Sequence, residues 1–357
     1  MCRGCYHRQP CGCRVFRAEE PRGGRRIPRK AGGRALTDTR AKCLAVTGAT
    51  ASGKTALAIL LAEALDGEII SCDSMQVYRG MDIGTAKATK EEQARVAHHL
   101  IDIVDPTESF SAAEYAALAE KAALEIASRG KTPIFCGGTG LYLEAVRTAR
   151  HGAPMESDDA FRREMHALAE REGNGALHAR LAAVDPVSAE AIHPNNVKRV
   201  VRALEIYHLT GKPKSENDRG ASLENPRISI CNLFLDFSDR ALLYRRIDAR
   251  VEMMAAVGLF EETERLLKEN KLLPGTTAAA AIGYKECLSA LRGEASREEA
   301  LEDLKNATHH YAKRQKTWFS AKPHIRLLAD ENGEMRDTDA LLREALFHAR
   351  AYLKSDL

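Results

Sequence analysis

The chain has 357 residues, enough for two or three domains or for one large α/β domain carrying an insertion. No apolar run approaches the roughly 20 residues that a membrane-spanning helix needs. Nine scattered cysteines, an odd number, fit reduced thiols in a cytoplasmic protein better than a disulfide framework. The formal net charge of +3 hides an asymmetry: residues 1–42 carry twelve Lys/Arg against three acids, which is +9 and leaves −6 for the remainder. Overall charge therefore does not announce a nucleic-acid binder, and any such claim has to rest on local clusters.

Residues 1–42 are rich in Arg, Gly and Pro, without an apolar period, and read as a disordered extension. Cys2, Cys5, Cys11 and Cys13, with His7 among them, match no common zinc-finger spacing, and a solvated tail is the simpler reading.

The folded part opens on Cys43-Leu44-Ala45-Val46-Thr47, an apolar run suited to a buried strand. It leads into Gly48-Ala49-Thr50-Ala51-Ser52-Gly53-Lys54-Thr55, and a strong helix former follows from Ala56 to Leu65. This loop fits the phosphate-loop pattern G-x-x-x-x-G-K-[ST] at every fixed position and in the required strand–loop–helix context. Its glycines let successive amide N–H groups converge on an anion at a helix N-terminus. Lys54 adds a full charge, and the Thr55 hydroxyl suits a Mg²⁺ ion. The motif leaves open whose phosphates are held, since kinases, NTPases and diphosphate-dependent transferases all use it.

Beyond it the pattern alternates. Glu68–Cys72 reads as a second strand ending at Asp73, and His98–Val104 as a third, closed by Asp105-Pro106. Ser111-Ala112-Ala113-Glu114 is a capping box opening a helix that runs to about Arg129, where Gly130 stops it. Thr132–Cys136 is a fourth strand, delivered into Gly137-Gly138-Thr139-Gly140 and another helix. Such alternation implies a parallel, doubly wound sheet with its ligand at the strands' carboxyl ends, where Asp73 and Thr139 both fall. An aspartate there suits either a general base, a metal ligand or a helix N-cap.

The alternation stops between about Arg150 and Glu216, where charged helical segments take over. It resumes with a long strand over Ile228–Phe237, then helices to about Phe319, a short strand near His324–Leu328 and a final amphipathic helix. The expected organisation is a basic extension (1–42), a phosphate-loop NTPase-like α/β core (43–149), a helical insertion (150–216), a continuation of the core (217–328) and a C-terminal helix (329–357). Three cationic clusters stand out. Arg246 and Arg250 share a helix face, which suits a diphosphate or an RNA backbone unless it is a solvated face paired with Asp248 and Glu252. Lys198, Arg199 and Arg202 lie at helical spacing. Lys313-Arg314-Gln315-Lys316-Thr317-Trp318-Phe319 mixes cations with aromatics, as RNA contacts do.

Taken together and in order, these strings resemble the bacterial type of tRNA dimethylallyltransferases, the tRNA isopentenyltransferase family. They are GATASGKT at 48–55, ISCDSMQVYRGMDIGTAK at 70–87, HHLIDIVDP at 98–106, GGTGLY at 137–142, HPNNVKRVVRALEIY at 193–207, LYRRIDARV at 243–251, AIGYKE at 281–286 and YAKRQKTWF at 311–319. The resemblance implies transfer of a dimethylallyl group from dimethylallyl diphosphate to the exocyclic amine (N6) of the adenosine at tRNA position 37, beside the anticodon. It assigns Asp73 as the catalytic base and Thr139 as its partner. The loop from Gly48 to Thr55, with Arg246 and Arg250, becomes the diphosphate grip, and Mg²⁺ sits at Thr55. The tRNA contacts implied are Asp73, Ser74, Met75 and Gln76; Lys198, Arg199, Val200, Val201 and Arg202; Ala280, Ala281, Ile282, Gly283, Tyr284 and Lys285; and Lys313, Arg314, Gln315, Lys316, Thr317, Trp318, Phe319 and Ser320. The implied partner is a tRNA anticodon stem-loop, without a membrane, and the expected form is a cytoplasmic monomer. His309-His310 and Ser320 stand where the family more often has long polar or cationic residues, and no C-terminal zinc-finger pattern follows Trp318. An adenylate isopentenyltransferase and a phosphate-loop small-molecule kinase are the competing enzyme classes. An RNA-binding module with a vestigial nucleotide site is the non-enzymatic one.

Overall fold

The computed structural model describes residues 40–148, 158–220 and 224–355. Residues 1–39 of the basic extension, with its Cys/His cluster, lie outside the described residues, as does the boundary expected near Arg150, whereas Ala41 and Lys42, expected in that extension, already belong to the first strand.

Strand β1 (Ala41–Gly48) runs into the loop that opens α1 (Lys54–Ala64), and β2 (Gly67–Ser71) follows. A short helix α2 (Lys90–Arg95) comes next, started by a Thr89/Glu92 capping box that the sequence reading passed over. The expected third strand is cut to β3 (His98–His99). The cause lies in the backbone: Leu100 and Asp102 have φ of 61° and 57°, which no extended strand accommodates, and β-type pairing recurs only as an isolated parallel Tyr78–Val104 bridge outside the sheet. Helix α3 (Ala112–Ser128) begins at the expected Ser111/Glu114 capping box, and β4 (Thr132–Gly137) feeds α4 (Gly140–Arg147).

Five helices come next: α5 (Asp159–Glu172), α6 (Asn174–Val184), α7 (Pro186–Ala191), α8 (Val197–Thr210) and α9 (Lys214–Gly220). Leu168, Leu177, Leu181 and Val200 join in an apolar cluster of these helices' own. Strand β5 (Ile228–Asp236) precedes α10 (Arg240–Ala256), α11 (Leu259–Lys268), α12 (Tyr284–Leu291) and the long α13 (Arg297–Ser320). Strand β6 (Ile325–Leu328) is followed by a feature not expected from sequence, a hairpin of β7 (Asp330–Glu331) and β8 (Glu334–Met335). Its turn residues Asn332 and Gly333 have φ of 54° and 81°, the conformation that Asn-Gly adopts in two-residue hairpins. Helix α14 (Thr338–Lys354) ends the described chain.

The main sheet has the order β3-β2-β4-β1-β5-β6, and its paired strands all run parallel. Alternate residues feed opposite faces, as a sheet buried on both sides requires. Cys43, Ala45, Ile70 and Phe135 pack with α3, whereas Leu44, Val46, Ile69 and Ile134 pack with α1 and α14. Helix α13 serves both layers, placing Phe319 in the first and Ala312 in the second. The starts of β1 and β5 are both tied to the end of α14: Lys42 Nζ donates to the Leu353 carbonyl at 2.9 Å, and the Tyr352 hydroxyl donates to Ser229 Oγ, on β5, at 2.8 Å. Register brings the carboxyl ends into line, with Thr47 opposite Gly137 and Ser71 opposite Cys136. Gly48, Asp73 and Thr139 therefore emerge along one edge of the sheet, the doubly wound arrangement that the alternating pattern implies.

Candidate active site

At that edge a cavity of about 300 Å³ opens, lined on one side by Thr50, Ala51, Lys54 and Thr55. The Gly48–Thr55 loop turns sharply. Gly53 has φ of 92°, a conformation that β-branched or bulky residues avoid, and Ala51 is held at φ 60°. Arg246 reaches across from α10, its Nε donating to the Ala51 carbonyl at 2.9 Å. Arg250 stands one turn further on and lines the cavity itself. Burial pushes the Lys54 ammonium below its ordinary range, with the Arg250 charge acting the same way. Burial, then the charge of Arg246, lowers Arg250. Lys54 and Arg250, whose charged forms are disfavoured first by burial and then by a neighbouring positive charge, make a site in which an anion is stabilised. In the same loop Ser52 Oγ is buried without a protein partner among the described residues.

Asp73 borders the same cavity. Its Oδ1 accepts the Met75 N–H at 2.9 Å, so the carboxylate closes a turn over Ser74–Val77 rather than capping a helix. Among the described residues no donor is found for the other oxygen. Beside it, Thr139 Oγ1 accepts the Ser74 N–H at 3.0 Å and contacts Ser74 Oγ at 3.3 Å. Tyr311, on α13, completes this corner. It lines the cavity, Arg314 lies 5.6 Å from its ring, and burial followed by the charge of Asp73 pushes its phenol up. In sequence Tyr311 merely opens the YAKRQKTWF string, where nothing local marks it as a site residue. An apolar patch of Ile247, Val251, Met254 and Leu304 lines the cavity next to Arg250. These residues belong to α10 and α13, whose inward faces could only be read once the helices were packed.

The opposite wall consists of Gly84–Ala86 and Ala280–Gly283. Both segments are held by one buried carboxylate that sequence reasoning missed. Glu262 accepts the backbone N–H groups of Asp82, Ile83 and Gly84 at 3.0–3.1 Å, and the Tyr284 hydroxyl at 2.6 Å. In sequence Glu262 is one more acid on a charged helix, and nothing distinguishes it locally.

Several residues expected to touch RNA are turned inward. Val200 and Val201 fill the core of the insertion helices, because α8 presents its apolar stripe to α5 and α6. Tyr284 and Phe319 are core residues, and Ala281 is buried in the same layer. Gln315 is 4% exposed and bonded at both ends of its amide. The Gln76 amide is likewise engaged, accepting from Ser71 Oγ and donating to the Thr85 and Ala86 carbonyls. Lys316 pairs with Asp236 and the Phe237 carbonyl, and Arg202 pairs with Glu205. Trp318 packs on Gly140, where an added Cβ would meet the indole at 2.1 Å. Lys198, Arg199, Lys313, Arg314, Thr317 and Ser320 remain exposed. The pairing of Arg246 and Arg250 with Asp248 and Glu252 is not seen; Asp248 lies 2.7 Å from His309, and Glu252 pairs with Lys305.

The parallel sheet and the cavity at its carboxyl edge define the class, an α/β protein that binds its ligand where the strands end. Within that class, residues 76–322 match the family model described as IPP transferase. The chain is 48% identical over 290 residues to a tRNA dimethylallyltransferase of Bacillus pumilus, covering 81% of this chain and 90% of that protein. It is 46% identical over 292 residues to one of Bacillus subtilis, with 81% and 91% covered. The crystal structure of the tRNA isopentenylpyrophosphate transferase of Bacillus halodurans superimposes with a TM-score of 0.63 at 40% identity, covering 88% of this chain and 97% of that one. A eukaryotic dimethylallyltransferase acting on tRNA gives 0.72 at 28% identity, over 89% and 81%. The chain belongs to the IPP transferase family.

Proposed function

We propose that the protein is a tRNA dimethylallyltransferase, moving a dimethylallyl group from dimethylallyl diphosphate to N6 of the adenosine beside the anticodon. The observation that carries this is one cavity in which cations at the Gly48–Thr55 loop, the Asp73 carboxylate and an apolar patch meet. A diphosphate fits the cations, a five-carbon chain fits Ile247, Val251 and Met254, and an amine proton fits the unpartnered side of Asp73.

The adenine amine is a weak nucleophile, because its lone pair is delocalised into the ring. As the N6–C1 bond forms and the C1–oxygen bond to diphosphate breaks, Asp73 takes the N6 proton and Thr139 holds the Ser74 turn that carries Asp73. Lys54, Arg250 and the loop amides stabilise the charge that grows on the departing diphosphate. Among the described residues no cluster of three His, Cys, Asp or Glu side chains is placed to hold a metal ion. The Thr55 hydroxyl and the diphosphate oxygens suit Mg²⁺, which typically takes few protein ligands beside substrate phosphates, and its charge would ease diphosphate departure. In this reading the exposed Lys198, Arg199, Lys313 and Arg314 serve as phosphate contacts for the anticodon stem-loop, and residues 150–216 as an RNA-docking insertion on the core. The target base leaves the loop stack to enter the cavity, at a cost of about a few kcal/mol.

The test offers labelled dimethylallyl diphosphate and Mg²⁺ with AMP, ATP, or an anticodon stem-loop bearing three consecutive adenosines. Label in the RNA alone is expected. Label in AMP would reassign the protein to the adenylate isopentenyltransferases, and phosphate transfer from ATP would make it a kinase.

A further inference from the structure

Gln315 sits in the string expected to grip RNA, yet it points the other way. On α13 it shares an inward face with Ala312 and Phe319, three and four residues away, whereas its neighbours Lys313 and Arg314 are exposed. Both ends of its amide are used. Oε1 accepts the Thr50 N–H at 2.8 Å, and Nε2 donates to the Gly138 carbonyl at 2.9 Å. Thr50 belongs to the loop with the cations, and Gly138 directly precedes Thr139. The contact leaves no slack, since a Cβ at Gly138 would lie 2.0 Å from Gln315 Nε2.

We infer that Gln315 is a positioning residue that sets the distance between the two halves of the site, one carboxamide joining the Gly48–Thr55 loop to the loop that carries Thr139. The inference rests on the proposal that the first loop holds the donor diphosphate. From Gly138 the connection continues through Thr139 Oγ1 to the Ser74 N–H, and so to the turn that carries Asp73. The donor carbon is placed by one loop and the base by the other, and reaction needs the two within near-attack distance. A misplacement of about 1 Å costs on the order of 10²-fold in rate. The task calls for a terminal group that both donates and accepts. Glutamate keeps the acceptor for Thr50 but loses the donor and sets a charge against the Gly138 carbonyl. Leucine fills the space with neither.

The experiment measures single-turnover transfer from dimethylallyl diphosphate to an anticodon stem-loop, with Kd for each substrate and circular dichroism of each variant. Gln315→Glu, Gln315→Leu and Gly138→Ala should each lower the rate at saturation by roughly 10²-fold, while both Kd values stay within about three-fold. Gly138→Ala reaches the same bond from its other end, so agreement among the folded variants is the signature. Full rate in them overturns the inference. So does a Kd for RNA weakened ten-fold at unchanged rate, which would make Gln315 an RNA contact, or loss of fold in all three, which would make it structural alone. Failure of the unaltered enzyme to label RNA at all would defeat the functional proposal instead, and the two outcomes are read separately.

Discussion

The two walls of the cavity are built in opposite ways. One is eight consecutive residues, Gly48 to Thr55, shaped by backbone conformation and closed by the start of α1. The other joins residues 82–86 to residues 280–286 across nearly two hundred positions of sequence, through the carboxylate of Glu262. The first wall presents charge to whatever enters. The second buries its charge and spends it on holding backbone in place. Chemistry and architecture are thus assigned to different sides, and substitutions on the two sides should fail differently.

That contrast is sharpest at the residue expected to move a proton. Asp73→Ala should lower the chemical rate by about 10²-fold or more, with RNA affinity within a few-fold and thermal stability little changed. Equal loss of binding and rate would return Asp73 to a purely structural role in its turn. On the far wall, Glu262→Gln should cost about 2 kcal/mol of stability in denaturant unfolding, because the new amide N–H group faces donors that the carboxylate accepted. An unchanged unfolding midpoint would break the comparison. Tyr284→Phe removes one donor from the same carboxylate and should cost about 1 kcal/mol by the same measurement, without changing the rate. The smallest effects belong to the exposed cations. Lys198→Ala or Arg199→Ala should weaken RNA binding by a few-fold and reduce the salt dependence of log K by about 1 per residue. No change in salt slope would remove α8 from the RNA surface.

The same division explains what could be read from sequence. The Gly48–Thr55 loop, the Ser111/Glu114 cap and the parallel sheet were legible because their causes are local: glycine geometry, a four-residue cap, an apolar run between helices. Leu100 and Asp102 escaped because nothing in a residue's identity announces a positive φ imposed by the surrounding chain. Asn332-Gly333 was a plain hairpin signal that the amphipathic run after it obscured. The RNA-facing assignments went furthest astray where a string was treated as a surface. Within Lys313–Phe319 the helix period divides neighbours between solvent and core, which puts Gln315 and Phe319 inside and leaves Lys313 and Arg314 outside. Glu262 could not be found at all, since its partners come from two remote segments.

The bond from Lys42 to the Leu353 carbonyl means that the first strand and the last helix finish as neighbours. A short linker could therefore join residue 355 to residue 40 without distorting either, and the chain could be reopened elsewhere, for example in the exposed Gly293–Glu294 turn between α12 and α13. Such a circularly rearranged chain would carry the same sheet and the same cavity on a different order of synthesis, separating what the contacts specify from what the order of residues contributes.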